Sequence, residues 1–221
     1  MYRLSKRLFD FIISLIVFIL LLPLLLPIMI GLKLTGEGYI FYKQKRIGYQ
    51  RKYFHILKFA TMLKDSPNMG TGSITLRNDP RITPMGGFLR KTKINELPQI
   101  INIIKGDLSL VGPRPLVDRT FNAYTEEVQN KVYNLKPGLT GIGSIVFRDE
   151  EALVSNYNGD PHEFYKNKIA PYKGALEMWY QQNASFLLDM KLIFLTAWVV
   201  IFPDSNLHFR LFKTLPKKPE F

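Results

Sequence analysis

Phe11 to Leu32 is a run of 22 residues without a charge, and it constrains this chain more than any other feature. Only Ser14, Pro23, Pro27 and Gly31 depart from large apolar types. A straight helix of that length is about 33 Å long, enough for the ~30 Å hydrocarbon core of a bilayer. Every face of it is apolar, which a buried helix of a soluble protein does not need. The basic start at Arg3, Lys6 and Arg7 fits a secretory signal, but the run is too long for one and no small-residue cleavage site follows. Lys33, Lys43, Lys45, Arg46, Arg51 and Lys52 follow on the far side, so the positive-inside rule asks for both ends in the cytoplasm. Pro23 removes a backbone hydrogen bond and crowds the carbonyl of Ile19, which predicts a bend there. Pro27 repeats the effect one turn later. The residues balance evenly between a re-entrant helix, entering and leaving by one face, and a simple span.

Charge is unevenly placed. Residues 1–115 hold 18 Lys/Arg against 6 Asp/Glu and the remainder hold 12 of each, so the whole net charge of +12 sits in the half with the apolar run. A basic half suggests nucleic acid, a phospholipid surface or a phosphorylated substrate. The aromatic residues cluster in apolar stretches rather than studding a basic surface, so no nucleic-acid partner is expected. With no cysteine, disulfides, thiolate metal sites and thiol nucleophiles are excluded. Three scattered histidines make a histidine metal site improbable.

Beyond the run, Tyr39–Lys43 and Tyr53–Phe59 read as strands of a basic hairpin turning at Ile47-Gly48-Tyr49. Residues 64–87 read as loop. Asn95–Lys105 has helical periodicity ending at Gly106. Residues 119–134 and 160–183 also read as helical, Lys136-Pro137-Gly138 as a turn, and Lys213–Phe221 as a loose tail. Phe186–Phe202 contains Asp189 and Lys191 and reads as an amphipathic helix, on a membrane surface or in the core. Trp179, Tyr180 and Trp198 suit an interfacial position.

Residues 90–115 are dense in groups suited to phosphate chemistry. Glu96 is expected to open a helix, where a carboxylate could hold Mg²⁺ together with substrate phosphates. The plainer alternative is a capping acid on a basic surface helix. Asp107 follows Gly106 at a turn. Arg90, Lys91, Lys93 and Arg114 supply cations, and Arg114 is fixed between Pro113 and Pro115. Arg148-Asp149-Glu150-Glu151 reads first as a solvated charge run.

Five stretches carry a resemblance. They are Lys6-Arg7-Leu8-Phe9-Asp10, Lys58-Phe59-Ala60-Thr61-Met62, Glu96-Leu97-Pro98-Gln99, the run Gly106-Asp107-Leu108-Ser109-Leu110-Val111-Gly112-Pro113-Arg114-Pro115, and Lys136-Pro137-Gly138-Leu139-Thr140-Gly141. Ser185-Phe186-Leu187-Leu188-Asp189 adds a C-terminal match. The chain resembles the small monotopic phosphoglycosyl transferases, bacterial sugar transferases that start glycoconjugate assembly. The resemblance implies transfer of a sugar-1-phosphate from a UDP-sugar to a polyprenyl (undecaprenyl) phosphate, with UMP released and Mg²⁺ required. It implies a re-entrant helix broken at Pro23, a bacterial inner (cytoplasmic) membrane location and an active site on the cytoplasmic face. It also implies a two-step reaction through an aspartyl phosphosugar intermediate.

The sequence departs from that pattern at the nucleophile. The family's Asp-Glu pair is Asn95-Glu96 here, and a carboxamide is a far poorer nucleophile than a carboxylate. A carboxylate of Asp149, Glu150 or Glu151 facing Asn95, direct reaction of the two substrates, or an impaired chain serving as a membrane-anchored adaptor would each account for it. After Thr140-Gly141 the family's Trp and Asn-Gly-Arg run is replaced by Ile142 to Glu151, and Ala60 stands where a basic residue is common.

The expected fold is therefore α/β and mostly helical: a monotopic membrane protein with a re-entrant helix in residues 1–36 and a cytoplasmic catalytic domain in residues 37–221. That domain holds the small hairpin and interfacial amphipathic helices near 98–105 and 186–202. Glu96 and Asn95 form the catalytic pair, with Asp149 as compensating carboxylate and Glu96 as metal ligand. Lys58, Arg90, Asp107, Arg114 and Arg148 are the phosphate or nucleotide contacts. UDP-sugar, polyprenyl phosphate and membrane lipids are the expected partners, and a homodimer is left open.

Overall fold

The computed structural model describes residues 2–70, 75 and 78–219. Helix α1 (Tyr2–Leu34) runs through both Pro23 and Pro27, so the loss of two backbone N–H donors does not end it. Among the described residues it is the one helix long and apolar enough to cross a membrane, and most of its surface is exposed. What it does bury falls in two places. Near its start, Lys6 Nζ reaches Asp189 Oδ2 at 2.7 Å, Arg7 donates to the carbonyls of Ile103 and Ile104, and Asp10 accepts from the Ser109 hydroxyl at 2.6 Å. Near its end, Leu25, Ile28 and Leu32 pack with Phe59 and Leu89.

Strands β1 (Phe41–Ile47) and β2 (Tyr53–Phe59) form the expected antiparallel hairpin, in register from Phe41 opposite Phe59 to Ile47 opposite Tyr53. β1 begins two residues later and runs four residues further than the pattern of alternation indicated. Side-chain alternation sends Arg46, Ile56 and Lys58 to one face and Phe41, Lys43 and Lys45 to the other. Helix α2 (Pro84–Lys91) takes residues 84–87 out of the expected loop: Thr83 caps it by accepting from the Gly86 amide at 3.1 Å, with Pro84 in the first turn. Residues 71–74, 76 and 77 of that expected loop lie outside the described residues.

Helix α3 (Gln99–Lys105) is shorter than its periodicity. Pro98, which has no N–H to give, stands at its N-cap, so Glu96 does not open the helix but closes a separate 3₁₀ turn, Ile94–Glu96. Gly106 ends α3 at φ +94°. Strands β3 (Ser109–Val111) and β4 (Gly138–Thr140) pair in parallel. Only three residues each, they fall below any alternation signal. Between them the expected 119–134 helix is two, α4 (Asp118–Phe121) and α5 (Glu126–Lys131), because Thr125 caps a fresh start.

Helices α6 (Ile142–Val146), α7 (Glu150–Ser155), α8 (Pro161–Phe164) and α9 (Ala170–Asn183) follow, the last two joined by a π-turn at Tyr165–Ile169. Then come α10 (Phe186–Ile201) and α11 (Leu207–Leu211). The main core lies among α6, α9 and α10, where Ile142, Ile169, Leu176, Leu192 and Leu195 are wholly buried. Trp179 and Tyr180 belong to this core rather than to an interface, since α9 has no free apolar face to present them. Trp198 is partly buried, its indole N–H on Ser205 at 2.8 Å. α10 buries Leu188, Leu192, Leu195 and Val199 and leaves Leu187, Phe194, Val200 and Ile201 exposed, so its apolar residues serve two sides. The tail is not loose up to residue 216: Phe212 and Leu215 are buried, Thr214 accepts from Trp179, and the Pro216 carbonyl accepts from Tyr172. Residues 220 and 221 lie outside the described residues.

Candidate active site

Three sequence-distant residues meet at one carboxylate oxygen. Lys58 Nζ from β2 lies 3.0 Å from Glu96 Oε1, and Arg114 Nη2 lies 3.1 Å from the same atom. Burial alone would raise the Glu96 carboxyl, but the Lys58 ammonium and the Arg114 guanidinium outweigh it and hold Glu96 well below the usual carboxylate range. Burial lowers Lys58 to about 8, with Glu96 opposing and Arg114 and Arg46 assisting. Arg46, on the same hairpin face as Lys58, is lowered to about 10 by burial and by the neighbouring Arg114. The result is one ionised carboxylate among three cations, an excess of positive charge in a partly enclosed place.

The Arg114 loop is held on both sides. Its N–H donates to Glu177 Oε1 at 3.4 Å, and its carbonyl accepts from the Tyr133 hydroxyl at 2.8 Å. The same Tyr133 oxygen accepts from the Leu116 amide at 3.0 Å, and Arg46 Nη1 donates to the Pro115 carbonyl at 3.1 Å. With Pro113 and Pro115 fixing φ on either side, the guanidinium is preorganised. Glu177 is itself buried, with Oε2 lacking any hydrogen-bond partner, and burial pushes its carboxyl up to about 7. Gly143 makes room for it: a Cβ there would lie 2.4 Å from Glu177 Oε1.

Lys58, Glu96 and Arg114 are thus brought together as expected. Asn95 is buried beside them in sequence, its Oδ1 without a hydrogen bond. Of the three acids expected to face it, Asp149 Oδ1 caps α7 through the Ala152 amide at 3.2 Å, and Glu151 pairs with Arg90 at 2.5 Å. Glu150 pairs with the buried ammonium of Lys173, and its charge also bears on Arg114. Asp107 sits past the far end of α3, with Asn102 Nδ2 3.4 Å away, and Arg148 Nη2 points at the Val200 carbonyl, so neither joins the Glu96 cluster. Sequence reasoning missed Arg46, Tyr133, Lys173 and Glu177. Hairpin register would have found Arg46, four residues along β1 from Tyr42, the partner of Lys58, and so on the same face. Nothing local marks Glu177, whose role depends on the distant Gly143 and Arg114.

Among the described residues no group of three His, Asp or Glu side chains could enclose a metal ion. Glu96, kept ionised and with Oε2 free of the two cations at Oε1, is the acid here that would hold a Mg²⁺, and with three cations around it would do so only together with substrate phosphates that supply the compensating negative charge.

The model of the family described as bacterial sugar transferase matches residues 1–203. The chain belongs to the bacterial sugar transferase family. This sugar transferase is 36% identical over 201 residues to the sugar transferase EpsL of Bacillus subtilis, covering 90% of this chain and 89% of that one. It is 33% identical to the undecaprenyl-phosphate glucose phosphotransferase of Komagataeibacter xylinus, over 90% of this chain but 36% of that protein. It is 32% identical to the undecaprenyl-phosphate galactose phosphotransferase of Salmonella typhimurium, over 92% and 42%. The sugar transferase fold described here therefore spans nearly all of the first relative and well under half of the two named phosphotransferases.

Proposed function

We propose that this protein transfers a sugar-1-phosphate from a UDP-sugar to undecaprenyl or a related polyprenyl phosphate, releasing UMP, as the first membrane step of a glycan assembly. The observation that carries this is the Glu96 carboxylate held between Lys58 and Arg114 with Arg46 adjacent. A diphosphate entering there finds two cations already aimed at one point and a third behind them, and competes with Glu96 for both. Mg²⁺ bound at Glu96 Oε2 would supply Lewis-acid charge against the donor's phosphates.

Asn95 carries no anionic nucleophile, and Glu150 is neutralised by Lys173. The reading that follows is a single displacement. An oxygen of the lipid phosphate forms a bond to the β-phosphorus of the donor, the bond from that phosphorus to the bridging oxygen breaks, and UMP leaves with that oxygen. Lys58 and Arg114 hold the charge that develops on the transferring group. Both ends of α1 are fastened to the same folded body, Arg7 at α3 and Leu32 at the Phe59–Leu89 cluster. This supports a helix that bends near Pro23 and returns by one face, placing the site at the cytoplasmic surface of the inner membrane, where a soluble and a lipid substrate can meet.

The test is nucleotide release by the purified protein in nanodiscs with Mg²⁺, undecaprenyl phosphate and a panel of UDP-sugars. UMP that appears only with the lipid, and no mass adduct on protein given donor alone, is expected. UDP would make it an ordinary glycosyl transferase. An adduct would restore the covalent route. No nucleotide from any donor would favour the adaptor reading, for which Asn95 is the supporting feature.

A further inference from the structure

The β1–β2 hairpin has a face that the site does not use. From Phe41 to Phe59 it carries six cations, Lys43, Lys45, Arg46, Arg51, Lys52 and Lys58, and no acid. Register divides them. Arg46 and Lys58 lie on the inner face, toward Glu96, while Lys43 and Lys45 stand on the outer face with Phe41, Tyr53 and His55, all exposed. Arg51 and Lys52, in the connection, are exposed as well. Among the described residues neither Lys43 nor Lys45 forms an ion pair. Lys45 lies 3.7 Å over the Tyr53 ring, and at the edge of the patch Asp118 accepts from the Tyr53 hydroxyl at 2.6 Å. Unpaired like charges repel one another, so such a face is stabilised by an anionic partner.

Its position indicates which partner. The hairpin starts shortly after α1 ends, and Phe41 stacks on Phe59 at 5.7 Å. Phe59 is buried against Leu25, Ile28 and Leu32 of α1. The outer face is therefore continuous with the apolar helix at the point where that helix leaves the body. The structure differs here from the expectation that the aromatics keep to apolar stretches: exposed Phe41, Tyr42 and Tyr53 interleave with lysine and arginine, and beside the apolar helix this suits the headgroup layer, apolar on one side and anionic on the other.

We propose that the outer face of this hairpin docks on anionic phospholipid headgroups, a proposal that rests on α1 lying in the membrane. Lys43 and Lys45 are its central contacts, with Arg51 and Lys52 at the rim. One hairpin then uses its two faces for two kinds of phosphate, substrate inside and lipid outside.

The experiment places the full-length protein in nanodiscs of phosphatidylcholine alone or mixed with phosphatidylglycerol and follows lysine acylation by peptide mass spectrometry. Lys43 and Lys45 should react about fivefold more slowly, or slower still, in the anionic discs. Lys131, exposed on α5, should react equally in both. In native mass spectra the wild type should retain phosphatidylglycerol and the Lys43→Gln, Lys45→Gln double variant should not. Equal acylation in both discs, with the protein retained in both, overturns the proposal. Protection by an added oligonucleotide but not by anionic lipid overturns it in favour of nucleic acid. A protein that does not stay in neutral discs overturns the membrane reading of α1, and this proposal with it.

Discussion

Glu96 is the residue on which the site turns. Glu96→Gln keeps the shape and removes the charge that Lys58 and Arg114 share, so UMP release should fall about 100-fold or more while the far-ultraviolet dichroism stays that of a folded protein. Glu177 makes a different prediction, because its burial opposes ionisation. Its folded carboxyl titrates at about 7, against an ordinary value of 4.5. Between those values the folded state keeps a proton that the unfolded state has lost. The contribution of Glu177 is therefore present below pH 4.5, declines as pH rises, and is gone above about 7, a change of about 3 kcal/mol. Glu177→Gln, neutral at every pH, should erase that slope: urea unfolding from pH 5 to 8 should show the variant gaining on the wild type as pH rises. At this scale the sequence was only partly readable. Lys58, Glu96 and Arg114 were visible because each is an ionisable group in a stretch with its own rigidity. Glu177 was not, because a lone acid on a helix becomes a site residue only when a glycine on another helix leaves space for it.

The elements explain how those side chains come to face each other. Arg114 hangs from the parallel crossing of β3 and β4, whose backbones pass so closely that a Cβ on Gly112 would stand 2.3 Å from the Lys136 carbonyl. Gly112→Ala should force the two strands apart, costing more than about 2 kcal/mol in unfolding free energy and lowering transfer by displacing Arg114. This crossing escaped detection because two three-residue strands have no period to read, whereas in the β1–β2 hairpin the alternation marked all of β2 and three of the seven residues of β1. For α1, length and composition revealed the helix, but the balance of its prolines and flanking cations did not decide its path. The chain has no cysteine, so single introduced cysteines report without background. Ser5→Cys and Thr35→Cys should both react with an impermeant maleimide added to inside-out vesicles, and neither should react from the other side. Labelling of one from each side would establish a simple span.

As a whole, the molecule has an apolar core among α6, α9 and α10 that no metal ligand enters, so folding should not depend on a metal. A chelator should therefore abolish UMP release and leave the melting temperature unchanged, which differential scanning fluorimetry in detergent would read directly. The joints at the start of α1 have a consequence for how such a chain is made. Tyr2 and Lys6 are bonded to Asp189, and Asp10 to Ser109, contacts that close loops of 187, 183 and 99 residues. Asp10 can thus find its partner once the first half of the polypeptide has been synthesised, but Tyr2 and Lys6 find theirs only in the last third. Until then the opening turn of α1 lacks the carboxylate that takes the Tyr2 hydroxyl and the Lys6 ammonium. A chain that stops before residue 189 therefore carries Tyr2 and Lys6 without the partner that fastens them in the finished protein.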